Sequence, residues 1–391
     1  MDTESDAFVM PIRQYPSLEF LRWPGRKESG PARGTSRAYH FRMARNAIYH
    51  GLAALGIGAG DRVLVPAYLC AAAVTPVAAL GATVDFHDVR DDCSVDVAAL
   101  ELQIQPRTRA VMCVHYFGFP QRLEALRELC DRYRLVLLED CAHVLPRAGG
   151  EPTLGQVGEL AVFSWPKFLP VEDGATLVVN VPGPPIAVPW ERERPLQTLQ
   201  IAKDMCDRTM AWTKWTWGKT VYERLQRPKA LLRRAGARPA AVGGAEDGRR
   251  FDRSLLNLPM SRPSRWLLAN ADVDGIRRRR REHCEFLREQ TQGLTGARAL
   301  FPRLEEGVCP WAYPMLFEGR PKAHLELRRL GIPAVAWDGV RPPGISREEF
   351  PRSDFLYDNL VMLPVHQSLG QSDLERIVEG IRRVAGAGRA I

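Results

Sequence analysis

The first half of the chain is punctuated by short apolar runs: Asp61-Arg-Val-Leu-Val-Pro66, Thr83-Val-Asp-Phe86, and runs at 110–114, 135–138, 160–163 and 176–179. Each has the length of a buried strand. Helical segments at 44–55, near 71–80 and at 121–133 separate several of them. Strands alternating with helices predict an α/β fold with a mostly parallel sheet covered on both faces. The glycines of Gly56-Ile-Gly-Ala-Gly60 fall where a helix ends and a strand begins, so they are assigned to a helix C-cap and turn. A dinucleotide fingerprint needs the opposite order, strand then helix.

Before this alternation, residues 1–40 carry Pro, Gly, Arg and Ser without sustained periodicity and are read as an irregular leader. After Asn180 the alternation stops at Val181-Pro-Gly-Pro-Pro185, and a basic, Trp-rich segment follows at 196–235, then a Gly/Ala/Arg stretch at 235–250 with loop composition. From 251 the pattern gives a helix carrying Arg277-Arg278-Arg279-Arg280-Arg281, short strands around 311–317 and 333–337, and a C-terminal helix from Ser372 to Val384. The expected organisation is a leader (1–40), a large α/β domain (41–250, with an insertion over 181–250) and a smaller α+β domain (251–391). The length of 391 residues agrees with two units.

Composition narrows the class. With 45% hydrophobic and 26% charged residues the chain is neither disordered nor fibrous. No stretch reaches the ~18 apolar residues of a membrane span, and the acidic start MDTESDAFVM is unlike a signal peptide, so a cytoplasmic protein is expected. The eight cysteines are scattered without a CxxC pair and read as reduced thiols rather than disulfides or a metal site. A net charge of +8 fits nucleic acid, an anionic membrane or phosphorylated small molecules alike. The five arginines 277–281 spread around a helix and read as a solvated surface with intrahelical ion pairs to Glu282 and Asp274, not as a nucleic-acid reader.

Candidate chemistry sits at strand ends. Leu135-Val-Leu-Leu-Glu-Asp140-Cys-Ala-His143 is an apolar strand that ends in two carboxylates and a histidine. In open parallel sheets, ligands bind outside the carboxyl ends of strands. Asp140 is therefore either a site residue or a helix N-cap. The run Leu160-Ala-Val-Phe163 likewise ends in Ser164-Trp165-Pro166-Lys167. A carboxylate, a hydroxyl and a lysine at two strand ends match the needs of pyridoxal phosphate: an anion for its pyridine nitrogen, a hydroxyl for its phosphate and an amine for its carbonyl.

The order of these segments resembles the DegT/StrS family of pyridoxal-phosphate sugar aminotransferases. The resemblance runs from about residue 42 through Ala44-Arg-Asn-Ala47, Gly60-Asp-Arg-Val-Leu-Val-Pro66, Gly81-Ala-Thr-Val-Asp-Phe-His-Asp88, Pro106-Arg-Thr-Arg-Ala110, Val114-His-Tyr-Phe-Gly118 and Glu139-Asp-Cys-Ala-His143. It continues through Phe163-Ser164 with Lys167, Asp173-Gly174, Asn257-Leu-Pro-Met-Ser261 and Leu363-Pro-Val-His366. It implies the fold-type-I aminotransferase fold, a large domain with a mostly parallel mixed sheet plus a small α+β domain. It further implies Asp140 on the pyridine nitrogen, His143 beside the phenolic oxygen, Ser164 on the phosphate and Lys167 as the Schiff-base lysine. Arg45 and Asn46 fall where the family binds phosphate at a helix N-terminus. Asn257 falls where it reaches into a neighbouring subunit, which implies a homodimer.

Departures from the family's pattern accompany the resemblance. Two residues fewer separate Ser164 from Lys167, Cys70 replaces an aromatic near the ring face, and Arg45-Asn46 replace a small pair. The inserted Trp212-Thr-Lys-Trp215-Thr-Trp217 with Arg224, Arg227, Lys229, Arg233 and Arg234 reads as a lid or packing helix rather than a membrane-surface helix. The expected activity is transamination from an amino-acid donor, glutamate by resemblance, to a nucleotide-linked or otherwise phosphorylated keto-sugar. The rival readings are a pyridoxal-phosphate enzyme acting on a non-sugar carbonyl or amino acid, and a non-catalytic binding relative. No nucleic-acid partner and no metal are expected.

Overall fold

The computed structural model describes residue 20 and residues 36–146, 154–193, 195–212 and 251–386. Seven strands form the large sheet: β1 (Arg37–Phe41), β2 (Arg62–Pro66), β3 (Thr83–His87), β4 (Thr108–Val114), β5 (Val136–Cys141), β6 (Leu160–Ser164) and β7 (Ala175–Val179). Their order is β1-β7-β6-β5-β4-β2-β3. Strands β2 to β6 run parallel, while β7 is antiparallel to both β6 and β1. The carboxyl ends of the five parallel strands therefore share one edge.

Four helices accompany this sheet: α1 (Ala44–Ala54), α2 (Ala71–Ala79), the short α3 (Val97–Glu101) and α4 (Glu124–Tyr133). α1 lies close on β6 and β7, because a Cβ at Gly51 would come within 3.0 Å of the Leu177 side chain. α4 buries Leu126, Leu129 and Cys130, the i, i+3, i+4 stripe of an amphipathic helix. α5 (Pro195–Trp212) follows, and residues 213–250, with Trp215, Trp217 and the arginines of the insertion, lie outside the described residues.

The smaller unit contains α6 (Arg262–Asn270), α7 (Val273–Thr291), α8 (Ala323–Arg329), α9 (Pro351–Asn359) and α10 (Gln371–Gly386). α7, α8 and α10 pack on an antiparallel sheet of β8 (Arg298–Ala299), β9 (Ala312–Leu316) and β10 (Leu360–Pro364), ordered β10-β9-β8. Its core gathers Leu287 of α7, Tyr313 and Met315 of β9, Leu327 of α8, Leu363 of β10 and Ile377 of α10.

Two local expectations are corrected. The leader read at 1–40 ends in a strand, since β1 pairs along β7 from Arg37↔Val179 to Phe41↔Ala175. Its polar composition hid it, as expected for an edge strand. The strand expected at 333–337 reduces to one bridge, Val335 to Met362, followed by a 3-10 turn at Asp338–Val340. Pro333 offers no N–H, and Trp337 turns into the interior, 5.0 Å from the Tyr68 ring. The Gly56 and Gly60 turn stands as expected, both residues having positive φ.

Candidate active site

Glu139 and Asp140 are consecutive residues of β5 and point to opposite faces of the sheet. On one face Glu139 is fully buried and accepts hydrogen bonds from the N–H groups of Gly155 (2.9 Å), Val157 (2.8 Å) and Gly158 (2.7 Å). His115 Nε2 lies 3.0 Å from its Oε2, and His115 Nδ1 accepts from the Gln121 N–H, so the histidine proton is on Nε2 and is donated to Glu139. Burial alone would raise the Glu139 pKa, but the His115 bond and the Gly158 and Gly155 N–H groups outweigh it and hold the carboxyl below its ordinary value. Cys141 completes a buried trio with these two residues, ligand atoms within 4.8 Å, but the histidine nitrogens and Glu139 oxygens are spent on these hydrogen bonds.

On the other face, Asp140 Oδ1 accepts from the Ala142 N–H at 2.9 Å, capping a turn rather than a helix. Burial pushes the Asp140 carboxyl above its usual range, offset in part by that N–H and by the Lys167 charge. Lys167 ends a 3-10 turn, Trp165–Lys167, that leaves β6. β6 is the strand next to β5, with Asp140 in register with Val162. The same lysine charge adds to burial in driving His143 well below its ordinary pKa, so the imidazole is neutral. His143 Nδ1 accepts from the Phe117 N–H at 3.3 Å, which leaves the proton on Nε2. Phe117 itself has φ 57°, a left-handed conformation uncommon for a bulky side chain, at the loop that faces this site.

Nothing in the pattern of residues around Trp311 marks it as a site residue. Its indole stacks on the His143 ring with centroids 4.1 Å apart and planes 6° apart. The Lys167 Nζ lies 4.3 Å from the centre of the same indole. Asp140, His143 and Lys167 thus meet at one strand edge, as expected, and the small unit contributes an aromatic to them.

The remaining anticipated residues lie around this group. Ser164 closes β6, half-buried, and Cys70 is the half-buried residue that precedes α2. Arg45 and Asn46 are buried in the first turn of α1. The start of α1 abuts the end of β6 through the chain of bonds Gly174 N–H to Arg42 carbonyl (2.8 Å) and Trp165 N–H to Gly174 carbonyl (3.1 Å). Asn46 Nδ2 donates to the Leu255 carbonyl at 2.6 Å, while its Oδ1 is buried without a partner. Asn257 sits beside His50 of its own chain.

The arginine run corrects the solvated-surface reading. Arg279 does pair with Glu282, at 3.7 Å, but Arg277 and Arg280 are buried. Arg277 donates to the carbonyls of Gly307 (2.9 Å) and Leu145 (3.0 Å), and Arg281 to those of Glu305 (2.8 Å) and Val308 (2.7 Å). Arg280, 1% exposed, donates to the carbonyls of Trp311 (3.1 Å) and Lys167 (3.2 Å). Positions 277, 280 and 281 share one face of α7 by their i, i+3, i+4 spacing, which the run of five disguised.

Comparison with known proteins finds similarity over the part of the chain that carries this edge. Residues 34–179 match the DegT/DnrJ/EryC1/StrS aminotransferase family. That span carries β1 to β7 and with them Asp140, His143, Ser164 and Lys167. Over 137 residues the chain is 33% identical to GDP-perosamine synthase from Vibrio cholerae, a stretch that is 34% of this chain and 37% of that protein. The chain therefore spans little more than a third of the length of this curated relative. Solved structures extend the likeness of fold. The PLP-form of a putative sugar aminotransferase from Streptococcus pneumoniae superposes with a TM-score of 0.61 at 17% identity, over 90% of this chain and 87% of that one. The sugar aminotransferase CalS13 from Micromonospora echinospora gives 0.59 at 21% identity, over 88% and 87%. The mostly parallel mixed sheet with a smaller α+β unit is the fold of these aminotransferases.

Proposed function

We propose that this chain is a pyridoxal-phosphate-dependent aminotransferase that moves an amino group from an amino acid, glutamate in the first instance, to a nucleotide-linked keto-sugar. The observation that carries the reading is the meeting of a buried carboxylate, Asp140, with the Lys167 amine and a neutral His143 at one strand edge. An orphaned donor supports a phosphate nearby: Arg42, 6% exposed, leaves Nη1 buried without a hydrogen-bond partner just before α1, whose first turn holds no acidic residue. A buried cation at a helix start is costly unless an anion joins it. Once the Trp311 indole turns off the His143 face it covers here, the residues present suit the cofactor, with Lys167 and Asp140 as its principal holders, His143 and Ser164 beside them, and Arg42, Arg45 and Asn46 at the anionic end.

Bound there, pyridoxal phosphate supplies an electron sink for the pair left on a carbon that loses a proton. The chain's own residues do the rest. Asp140 keeps a proton on the pyridine nitrogen, a task for which a charged carboxylate among buried groups suits it. Lys167 Nζ would hold the cofactor and, as a free amine, would accept and return the proton at the substrate carbon. His143, neutral with its proton on Nε2, is a hydrogen-bond donor rather than a second cation. A homodimer, with Asn257 lent across the interface, belongs to the same proposal by resemblance. Light scattering tests the dimer.

The deciding experiment adds pyridoxal phosphate to the purified protein, reduces with borohydride and maps the labelled peptide. Label on Lys167, with amino transfer from glutamate to a panel of keto-sugar nucleotides read by mass spectrometry, is expected. Label only on another lysine, such as Lys203, overturns the site assignment. Transfer only to non-sugar carbonyls overturns the substrate class.

A further inference from the structure

Trp311 is held from both sides of its backbone. Its N–H donates to the Phe117 carbonyl at 2.8 Å, and its carbonyl accepts from Arg280 Nη1 at 3.1 Å. Two residues back, the Cys309 carbonyl lies so near Gly118, φ +94°, that any Cβ there would collide with it. Arg280 also reaches the Lys167 carbonyl at 3.2 Å and, through Nε, the Gln367 side chain at 2.9 Å, and its guanidinium covers the Phe168 ring at 4.8 Å. One buried guanidinium thus ties down the backbone of both Lys167 and Trp311. With the backbone fixed, the indole can move only by side-chain rotation.

In the position observed, the indole covers the face of His143 and lies against the Lys167 amine. A flat ring bound face-on to His143 while its carbonyl meets that amine needs the space the indole fills. A one-carbon aldehyde does not. We propose that Trp311, set in place by Arg280, is a specificity-determining residue of this site, selecting which carbonyl compounds reach the Lys167 amine. The inference shares with the proposed function only the premise that Lys167 is the reacting amine.

The test uses the full chain with two probes, benzaldehyde and formaldehyde, each with cyanoborohydride. The lysine nitrogen adds to the aldehyde carbon, water leaves, and the reductant delivers hydride to that carbon, giving a secondary amine read by peptide mass. Labelling at Lys167 is normalised to Lys322 and expressed as the ratio of benzaldehyde to formaldehyde, so that a change in the basicity of the amine cancels. Trp311→Ala should raise this ratio by about tenfold or more, the discrimination a close pocket contact supplies. Trp311→Leu should raise it less, and it carries the test if the alanine variant does not fold. Arg280→Lys, which keeps the charge but loses the planar fork, should raise it part-way. An unchanged ratio in both Trp311 variants overturns the proposal, whether labelling is static or both probes speed up together through general loosening. If pyridoxal phosphate never becomes fixed at Lys167 while the ratio responds, the proposed function fails and this inference stands.

Discussion

The two faces of the large sheet at β5 treat neighbouring carboxylates in opposite ways. Glu139 has three backbone N–H donors and His115, and its pKa is lowered; Asp140 has one backbone donor and a lysine charge nearby, and its pKa is raised. The first arrangement stabilises the folded chain, because every polar atom is matched. The second does not, because burial of the carboxylate outweighs its partners. A residue kept in the less favourable setting, next to an amine, is the better candidate for chemistry. The same contrast holds between Arg280 of α7, whose three guanidinium nitrogens all reach acceptors, and Arg42, which leaves Nη1 unmatched.

The sharpest way to break this comparison is to remove each carboxylate in turn. Glu139→Ala should destabilise the protein by about 4 kcal/mol, since it strands buried N–H groups and His115 together. Urea unfolding reads this, and a loss under about 1 kcal/mol would deny the structural role. Asp140→Asn should do the reverse, raising the melting temperature slightly at neutral pH while cutting the proposed amino transfer about a hundredfold.

The sign of the stability effect follows from the raised pKa. Between the unfolded value of 3.8 and the higher folded one, the native state binds more protons than the unfolded chain, so stability falls as pH rises through that window. The cost is present at neutral pH and disappears in the variant. The stability gain of Asp140→Asn should therefore shrink below pH 3.8, and a constant gain at all pH values would point to another cause.

A smaller effect separates packing from charge in the small unit. Burial depresses the His283 pKa to about 4, with the nearby charges of Arg279 and Arg280 adding to it and backbone bonds at Val365 and His366 opposing it. Its neutral form contributes stability above pH 6.5 that is lost as pH falls through about 4. His283→Gln should flatten the acid limb of the melting curve by about 2 kcal/mol, part of what the depressed pKa permits. An unchanged limb would show that other groups dominate. The smallest effect is expected at Arg279, on the exposed side of α7, where alanine should change stability by no more than about 0.5 kcal/mol while Arg280→Ala costs several times that. Equal losses at the two positions would dissolve the distinction between the buried and solvated arginines.

What the sequence by itself determined is the set of local decisions. Buried strands announce themselves as unbroken apolar runs, so β2 to β7 are legible, with helices α1, α2 and α4 but not the short α3, as is the placing of Asp140 and Lys167 at strand ends. Edge strand β1 was not, because one paired side leaves its composition polar. Only the tertiary structure decided that Trp311 from the small unit lies on His143, that Arg280 is buried while Arg279 is not, and that Asn257 sits beside its own His50. Local periodicity is carried by neighbours a few residues apart. These contacts join residues separated by 113 positions for Lys167 and Arg280 and by 31 for Arg280 and Trp311. A guanidinium's place in the interior depends on carbonyls brought to it from such distances, and no run of five arginines says which of them will be met.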